Sequence, residues 1–221
     1  MPEPDALFSE DSFSLLAELM ENNNRAWYHE HKKLIKLDLI DPLAYVLEQA
    51  SQALKRTRPP LKGGRNTMFR LNRDTRFSKN KQPYKENVSG LLTPSGLNGQ
   101  GNGLVYLHFD TEGGFMGAGF YRADARRLEP IRQRMVDQPK QWQSVRNALF
   151  KAGLDLDRDN ALKSMPRGFS QYTDHQHADD IKLKSLIVSR SLSKRAWLDG
   201  TVVDRLIAFA KQAAPLIRFG G

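Results

Sequence analysis

Apolar residues recur at helical spacing through the first quarter of the chain. Ser9 precedes Glu10 and Asp11, and Phe13, Leu16 and Met20 follow on one face, so a helix is expected with Ser9 as its N-cap. Asn22-Asn23-Asn24 interrupts it, and Asn24 is placed to cap a second helix through Trp27 and Leu34, with Lys32 and Lys33 toward solvent. Asp41-Pro42 marks a fresh start or a kink, since proline suits a first turn and disrupts a helix interior. Leu43, Val46, Leu47, Ala50 and Leu54 continue the period until Arg58-Pro59-Pro60 and Gly63-Gly64 stop it.

The period then changes to two. Thr67–Leu71 alternates as a strand with Met68 opposite Phe69, Asn72–Tyr84 is too polar and broken to be regular, and Glu86–Leu92 reads as another strand. Thr93–Gly103 is a Gly-, Ser- and Asn-rich loop with room to move. Leu104–Asp110 and Phe115–Tyr121 flank Thr111-Glu112-Gly113-Gly114, the signature of a hairpin. A loop centred on Glu112-Gly113 sets His108 against Gly117, Tyr106 against Gly119 and Leu104 against Tyr121 on one face. Val105, Leu107, Phe109, Met116 and Phe120 then form the core face.

Helical spacing returns after Asp124, a cap for Leu128, Ile131 and Met135, and after Pro139, with Trp142, Val145, Leu149 and Phe150 ending at Gly153. Asp155–Met165 is irregular, Pro166–Phe169 is a turn, and Leu183–Ser189 is a short buried strand. A last helix is expected from about Ser193 to Ala214, ended by Pro215. No repeat or linker divides the chain. The order implies one α+β domain over residues 8–221, with a central antiparallel or mixed sheet flanked by N-terminal and C-terminal helices, behind a flexible tail at 1–7.

Charge changes this picture more than composition does. Without cysteine the chain has no disulfide, thiol nucleophile or thiolate metal site, and it has neither a secretory signal pattern nor an apolar run of membrane-spanning length, so a soluble cytoplasmic protein with no membrane partner is expected. The net charge of +9 is concentrated between Lys55 and Lys85, where eleven Lys and Arg face Asp74 alone; the other 190 residues sum to about −1. Such a local field attracts phosphates, carboxylates or nucleic acid.

The segment Arg73-Asp74-Thr75-Arg76-Phe77-Ser78-Lys79-Asn80-Lys81-Gln82-Pro83-Tyr84-Lys85 resembles the signature of a bacterial and fungal family, domain of unknown function 2461. Leu19–Tyr28, Gly117–Tyr121, Pro166–Phe169 and Leu183–Ser185 are similar to other pieces of that family in the same order, together spanning Phe8 to about Leu192. Ala26 replaces a more usual acidic residue and Tyr28 a phenylalanine. The resemblance implies a stand-alone globular unit and no particular reaction.

A compact anion site can be assembled from these parts. Asp74 between Arg73 and Arg76 can brace two guanidinium forks, with Arg70, Ser78, Lys79, Lys81, Tyr84 and Lys85 adding donors. The competing reading has some of these arginines tie the loop to backbone carbonyls or to acids elsewhere as scaffolding, the rest forming a solvated face. Gly117 and Gly119 either open a pocket floor beside Tyr106, Tyr121 and His108 or let another element pack closely. Arg167 and Lys184 are candidates for the rim, and His108 is the catalytic acid or base if turnover occurs. The leading expectation is therefore an anionic small-molecule ligand, phosphorylated or carboxylated. The alternatives are a nucleic-acid module stacking bases on Phe69, Phe77 and Tyr84, or an adaptor for an acidic protein. No phosphate loop, hydrolase elbow or dinucleotide fingerprint is present, Gly99–Gly103 being only loop composition, and the cofactor is unknown. His29 and His31 diverge on a helix, and His175, His177, Asp174, Asp179 and Asp180 read as a solvated loop, so no metal site is expected. Oligomeric state is not encoded in any pattern here.

Overall fold

A computed structural model of the chain describes residues 7–98 and 103–221. The N-terminal helices form where their caps stand. In α1 (Glu10–Glu21) the Ser12 hydroxyl accepts the Ser9 N–H at 3.2 Å, and in α2 (Arg25–Ile35) the Asn24 carboxamide oxygen accepts the Trp27 N–H at 3.0 Å. The chain does not break at Pro42. A π-helical turn, Lys36–Ile40, carries α2 into α3 (Asp41–Leu54), with the Asp41 N–H bonded to the Lys36 carbonyl. Proline has no N–H for the Asp38 carbonyl, and the wider turn ahead of it absorbs that loss.

Four antiparallel strands, β1 (Val88–Leu92), β2 (Leu104–Phe109), β3 (Phe115–Phe120) and β4 (Leu186–Ser191), lie side by side in that order. The hairpin register differs by two residues from the one its sequence suggests: Leu104 faces Gly119, Tyr106 faces Gly117 and His108 faces Phe115. Asp110 causes the shift. Its carboxylate accepts the Glu112 N–H at 2.8 Å and its carbonyl the Gly113 N–H at 3.1 Å, so the reversal centres on Thr111-Glu112 and both glycines fall on the β3 side. At Gly114, φ is +105° and a Cβ would lie 2.0 Å from the His108 carbonyl oxygen, which only glycine avoids. An even shift keeps each side chain on its expected face.

The core face, built on Val105, Leu107, Phe109, Met116, Ala118 and Phe120, is buried. Against the sheet pack α3, over β1, and the long C-terminal helix α8 (Val202–Gly220), over β2 and β3. Phe8 closes one end, its ring 4.8 Å from both Phe109 and Trp197, and Leu7 packs beside it rather than belonging to a loose tail; positions 1–6 lie outside the described residues. Thr67–Leu71 is not a full strand. It touches the free edge of β1 through a bridge between Met68 and Gly90 and a 2.9 Å bond from the Phe69 N–H to the Ser89 carbonyl. Of the loop expected at Thr93–Gly103, Thr93 is buried and bridged to Lys62, while 99–102 fall outside the described residues.

In the second half, Asp124 caps α4 (Ala125–Asp137) and Gly153 ends α5 (Pro139–Lys151) as expected. The last helix is in fact two, α6 being the short turn Ala178–Ile181 before them: α7 (Lys194–Leu198) stops at Gly200, where φ is +72°, and α8 continues through Pro215 to Gly220. Pro215 is tolerated because Lys211, whose carbonyl it leaves unpaired, is exposed to water. The helix end is held from α4, with Arg127 donating to Gly220 O at 3.2 Å and Arg134 to Phe219 O. The segment expected as a solvated loop around His175 is anchored instead. Asp180 is 5 % exposed and accepts from Trp142 Nε1, Arg146 and Arg158, each at 2.8 Å, and a His177 ring nitrogen lies 3.0 Å from the Pro139 carbonyl. Among the described residues no helix is long and apolar enough to cross a membrane.

The two strand glycines differ in kind. Gly119 has φ of +124° and would place a Cβ 2.1 Å from the Leu186 carbonyl oxygen, whereas a Cβ at Gly117 would meet nothing nearer than 3.8 Å. Gly119→Ala is expected to destabilise the fold by roughly 2 kcal/mol or more and Gly117→Ala by less than about 0.5 kcal/mol, measured by urea denaturation.

Candidate functional site

The basic stretch leaves the free edge of β1 as a loop and returns to it. The Arg73 N–H bonds to the Pro83 carbonyl and the Lys85 N–H to the Leu71 carbonyl, each at 2.8 Å, closing the neck. Pro83 has no N–H to extend this ladder. The next residue is taken by a partner remote in sequence: the Asn23 side chain accepts the Tyr84 N–H at 3.0 Å and donates to the Tyr84 carbonyl at 3.1 Å. Tyr28 stacks on the Tyr84 ring at 4.0 Å with the planes 12° apart. Tyr84 is 3 % exposed, so it anchors the loop and does not face a ligand.

Beyond the neck the loop braces itself. Arg76 grips Asp74 with Nε to Oδ1 at 3.0 Å and Nη2 to Oδ2 at 2.7 Å, and its N–H also reaches Oδ1; this guanidinium holds the Asp74 carboxyl below its usual range. Asp74 pairs with Arg76 alone, and no such bond joins it to Arg73. Lys81 Nζ donates to the Thr75 carbonyl at 3.1 Å, Asn80 and Gln82 bond to each other, and the Ser78 N–H closes a turn on the Thr75 carbonyl at 3.3 Å. Phe77 stands at the tip 95 % exposed, its ring 5.8 Å from the Arg76 guanidinium carbon.

Few of the cations are paired with acids. Of the seven between Arg65 and Lys85, Arg65 pairs with Asp41 and Arg76 with Asp74; Arg70, Arg73, Lys79, Lys81 and Lys85 have no carboxylate partner among the described residues. Lys85, part-buried as Arg73 is, has Nζ 4.9 Å from the centroid of the Phe69 ring, and burial lowers its pKa.

From Phe69 a continuous set of side chains crosses the sheet on the face opposite α3 and α8. Phe69 meets Tyr106 edge-on at 6.1 Å, the Tyr106 hydroxyl lies 2.9 Å from His108 Nδ1, and His108 Nε2 lies 3.3 Å from Asp110 Oδ2. Phe115 stacks on His108 at 4.8 Å and leans on Tyr106 at 5.5 Å. Burial pushes His108 below its ordinary value, with Asp110 opposing, and pushes the Tyr106 phenol up, with Tyr121 adding and the Ser89 hydroxyl opposing.

Lys85, Tyr106, His108 and Gly117 are thus brought together at the end of the sheet from which the loop projects. Others are not. Gly119 is consumed by the close approach to β4. Lys184 lies ahead of β4, across the sheet and at its opposite end, beside Ser185, whose hydroxyl accepts the Arg122 N–H at 2.9 Å; Arg167 is exposed in its own turn. Tyr121 stands between the two sets: it follows the end of β3 and is 58 % exposed, yet it is near enough to Tyr106 to help push that phenol up. Sequence reasoning missed Asp110, Phe69 as a neighbour of Tyr106, and Phe115. The alternation Tyr106-x-His108-x-Asp110 carried the signal for Asp110, and the two-residue register error concealed Phe115.

A family profile described as conserved hypothetical protein (DUF2461) matches residues 11–219, and the chain belongs to that family. No curated protein and no solved structure matches it.

Asn23→Ala removes both bonds to Tyr84, and a loss of about 1–3 kcal/mol is expected, with faster amide exchange at Arg73 and Lys85 as the local readout. His108 yields a second prediction. Unfolding returns it toward 6.5, so between that value and its lower folded one the unfolded chain holds the extra proton. Stability measured by urea denaturation therefore falls as pH drops through this window, and His108→Gln makes the decline shallower.

Proposed function

We propose that this member of the DUF2461 family binds a compact anion, phosphorylated or carboxylated, on the open face of the sheet at the foot of the basic loop. Lys85 carries the reading. It is a part-buried ammonium without a carboxylate partner among the described residues, and the Phe69 ring beside it meets Tyr106 edge-on at 6.1 Å. Holding a cation partly out of water without a counter-ion is unfavourable, and a bound anion offsets that cost while gaining a charge-assisted bond. Arg73 and Lys79, at the same end of the sheet, raise the local concentration of anions. Gly117 has no side chain over the strands, and a Cβ there would meet nothing nearer than 3.8 Å, so a ligand would meet no bulky group at that point.

A second reading, single-stranded nucleic acid, is favoured by one observation: Phe77 is exposed at the loop tip against Arg76, as a base-stacking group would be. It ranks behind the first because the free cations are gathered at one end of the sheet and form no long track.

Calorimetric titration with orthophosphate, citrate, nucleotides and short oligonucleotides separates the two. Saturable binding of a small anion that weakens about tenfold or more in Lys85→Met supports the first reading. Affinity unchanged by Lys85→Met sinks it, and tight oligonucleotide binding with a steep salt dependence, lost in Phe77→Ala, replaces it with the second.

A further inference from the structure

His108 is the natural candidate for acid–base chemistry, yet it is badly placed to meet a ligand. Its side chain is 15 % exposed, Phe115 covers one face of the ring, and both nitrogens are engaged. The group in front of it is Tyr106. The direction of the bonds follows from what each atom can do. An ionised Asp110 only accepts, so the His108 proton sits on Nε2; Nδ1 of the neutral ring then accepts, and the Tyr106 hydroxyl donates to it. In this state the phenolic oxygen can only accept from a ligand. If His108 gains a second proton, Nδ1–H donates to the phenolic oxygen, and the Tyr106 hydroxyl is released to donate outward.

We propose that Tyr106 is the acid–base residue of this site, exchanging a proton with a hydroxyl or phosphoryl oxygen of the ligand, while His108 and Asp110 are positioning residues that set the direction of the transfer. The proposal rests on the anion-binding reading and assigns chemistry to that same site. In the basic direction the ligand's O–H bond breaks and its proton joins the phenolic oxygen, while the phenolic proton passes to Nδ1. The ligand oxygen keeps the electron pair, and an imidazolium is left beside the Asp110 carboxylate. The acidic direction is the reverse, with no other reactant needed. The substrate class is a compact phosphorylated or carboxylated molecule carrying such an oxygen near its charge.

The surroundings suit the cycle. Burial keeps His108 neutral, so it can receive a proton near neutral pH, and Asp110 stabilises the imidazolium once formed. The other groups around the ring are Tyr106 on its own strand, Ser89 opposite it on β1 and Phe115 opposite it on β3. Lys85 lies beyond Phe69, Tyr121 at the far end of β3, and Glu112 is exposed in the turn. A bound anion neutralises the Lys85 field and requires a donor from Tyr106, so both effects favour protonation of His108.

Sulfate tests this without titrating itself near neutral pH. Calorimetry at about pH 7 in buffers of different ionisation enthalpy is expected to show proton uptake on sulfate binding to the wild type. Uptake should vanish in His108→Gln and in Tyr106→Phe, which keeps the ring against Phe69 and loses only the hydroxyl. Sulfate binding without uptake, or uptake unchanged in either variant, overturns the relay and leaves the anion-binding reading standing. Failure of sulfate, phosphate and citrate to bind at all overturns that reading. Imidazole nitrogen NMR of the ligand-free protein examines the relay independently: the neutral His108 proton is expected on Nε2, and its presence on Nδ1 overturns the proposal whatever binds.

Discussion

The Asn23 side chain pairs with both main-chain groups of Tyr84, standing in for a β-strand at a point where no strand can lie. The return leg pairs on one side with the outgoing leg through the bridge between Asn72 and Tyr84, and Asn23 takes the outward-facing main-chain groups of Tyr84 on the other. A primary amide is the one small side chain that offers a donor and an acceptor in peptide-like geometry. With Tyr28 stacked on the Tyr84 ring, the turn between α1 and α2 becomes the clamp for a segment 61 residues away. Lys85 is the next residue after the clamp, and its N–H is fixed to Leu71, so its main chain inherits the precision of Asn23. Two of the motifs shared with the family, the Asn-rich turn and the basic signature, are therefore halves of one joint.

That joint must hold against electrostatic repulsion. The loop carries several like charges within a few residues, and its internal bonds, Arg76 to Asp74 and Lys81 to the Thr75 carbonyl, are local and exposed. Exposed charges are screened over about 8 Å at physiological salt, so the outer cations steer ligands more than they hold them. Lys85 is screened less because Phe69 and the sheet exclude water from one side of it. The same kind of charge thus has a different electrostatic reach according to depth, screened at the loop's tip and less so at its base.

How much of this could be read from the chain depended on whether a side chain acted near its own position. The caps Asn24 and Asp124, the stop at Gly153 and the alternating faces of the hairpin all act within a few residues, and all stand as the sequence implies. The register slipped because Asp110 was taken as the end of a strand, when its carboxylate organises the turn. The prolines differ: Pro42 stands in the first turn of α3 behind a π-helical irregularity, as a fresh start or kink implies, whereas Pro215 lies inside α8 and does not end it, solvent absorbing the missing hydrogen bond. Long-range contacts left no trace in spacing. Nothing about Asn23 distinguishes it from Asn22 until Tyr84 is beside it, and Gly117 and Gly119 look alike until β4 approaches one of them.

The sheet's construction explains why one face remains for a ligand. A sheet has two edges and two faces, and three of these are occupied. Met68 and Phe69 pair along the free edge of β1; Leu156 bridges Val188 and the Asp157 N–H bonds to the Ile187 carbonyl along β4; α3 and α8 bury the core face. What is left presents Ser189, Ser191 and Gly117 on β3 and β4, residues that need no cover, and the rings of Phe69 at the β1 edge, Tyr106 on β2 and Phe115 at the start of β3, which do. Those rings cover one another only in part: Phe115 shields His108 and remains 36 % exposed itself. Apolar area is thus left in water beside the Tyr106 hydroxyl, 2.9 Å from His108 Nδ1, with Lys85 on the other side of Phe69. Exposed ring edges are kept here because Phe115 covers His108 and cannot be covered in turn by the small residues of β4.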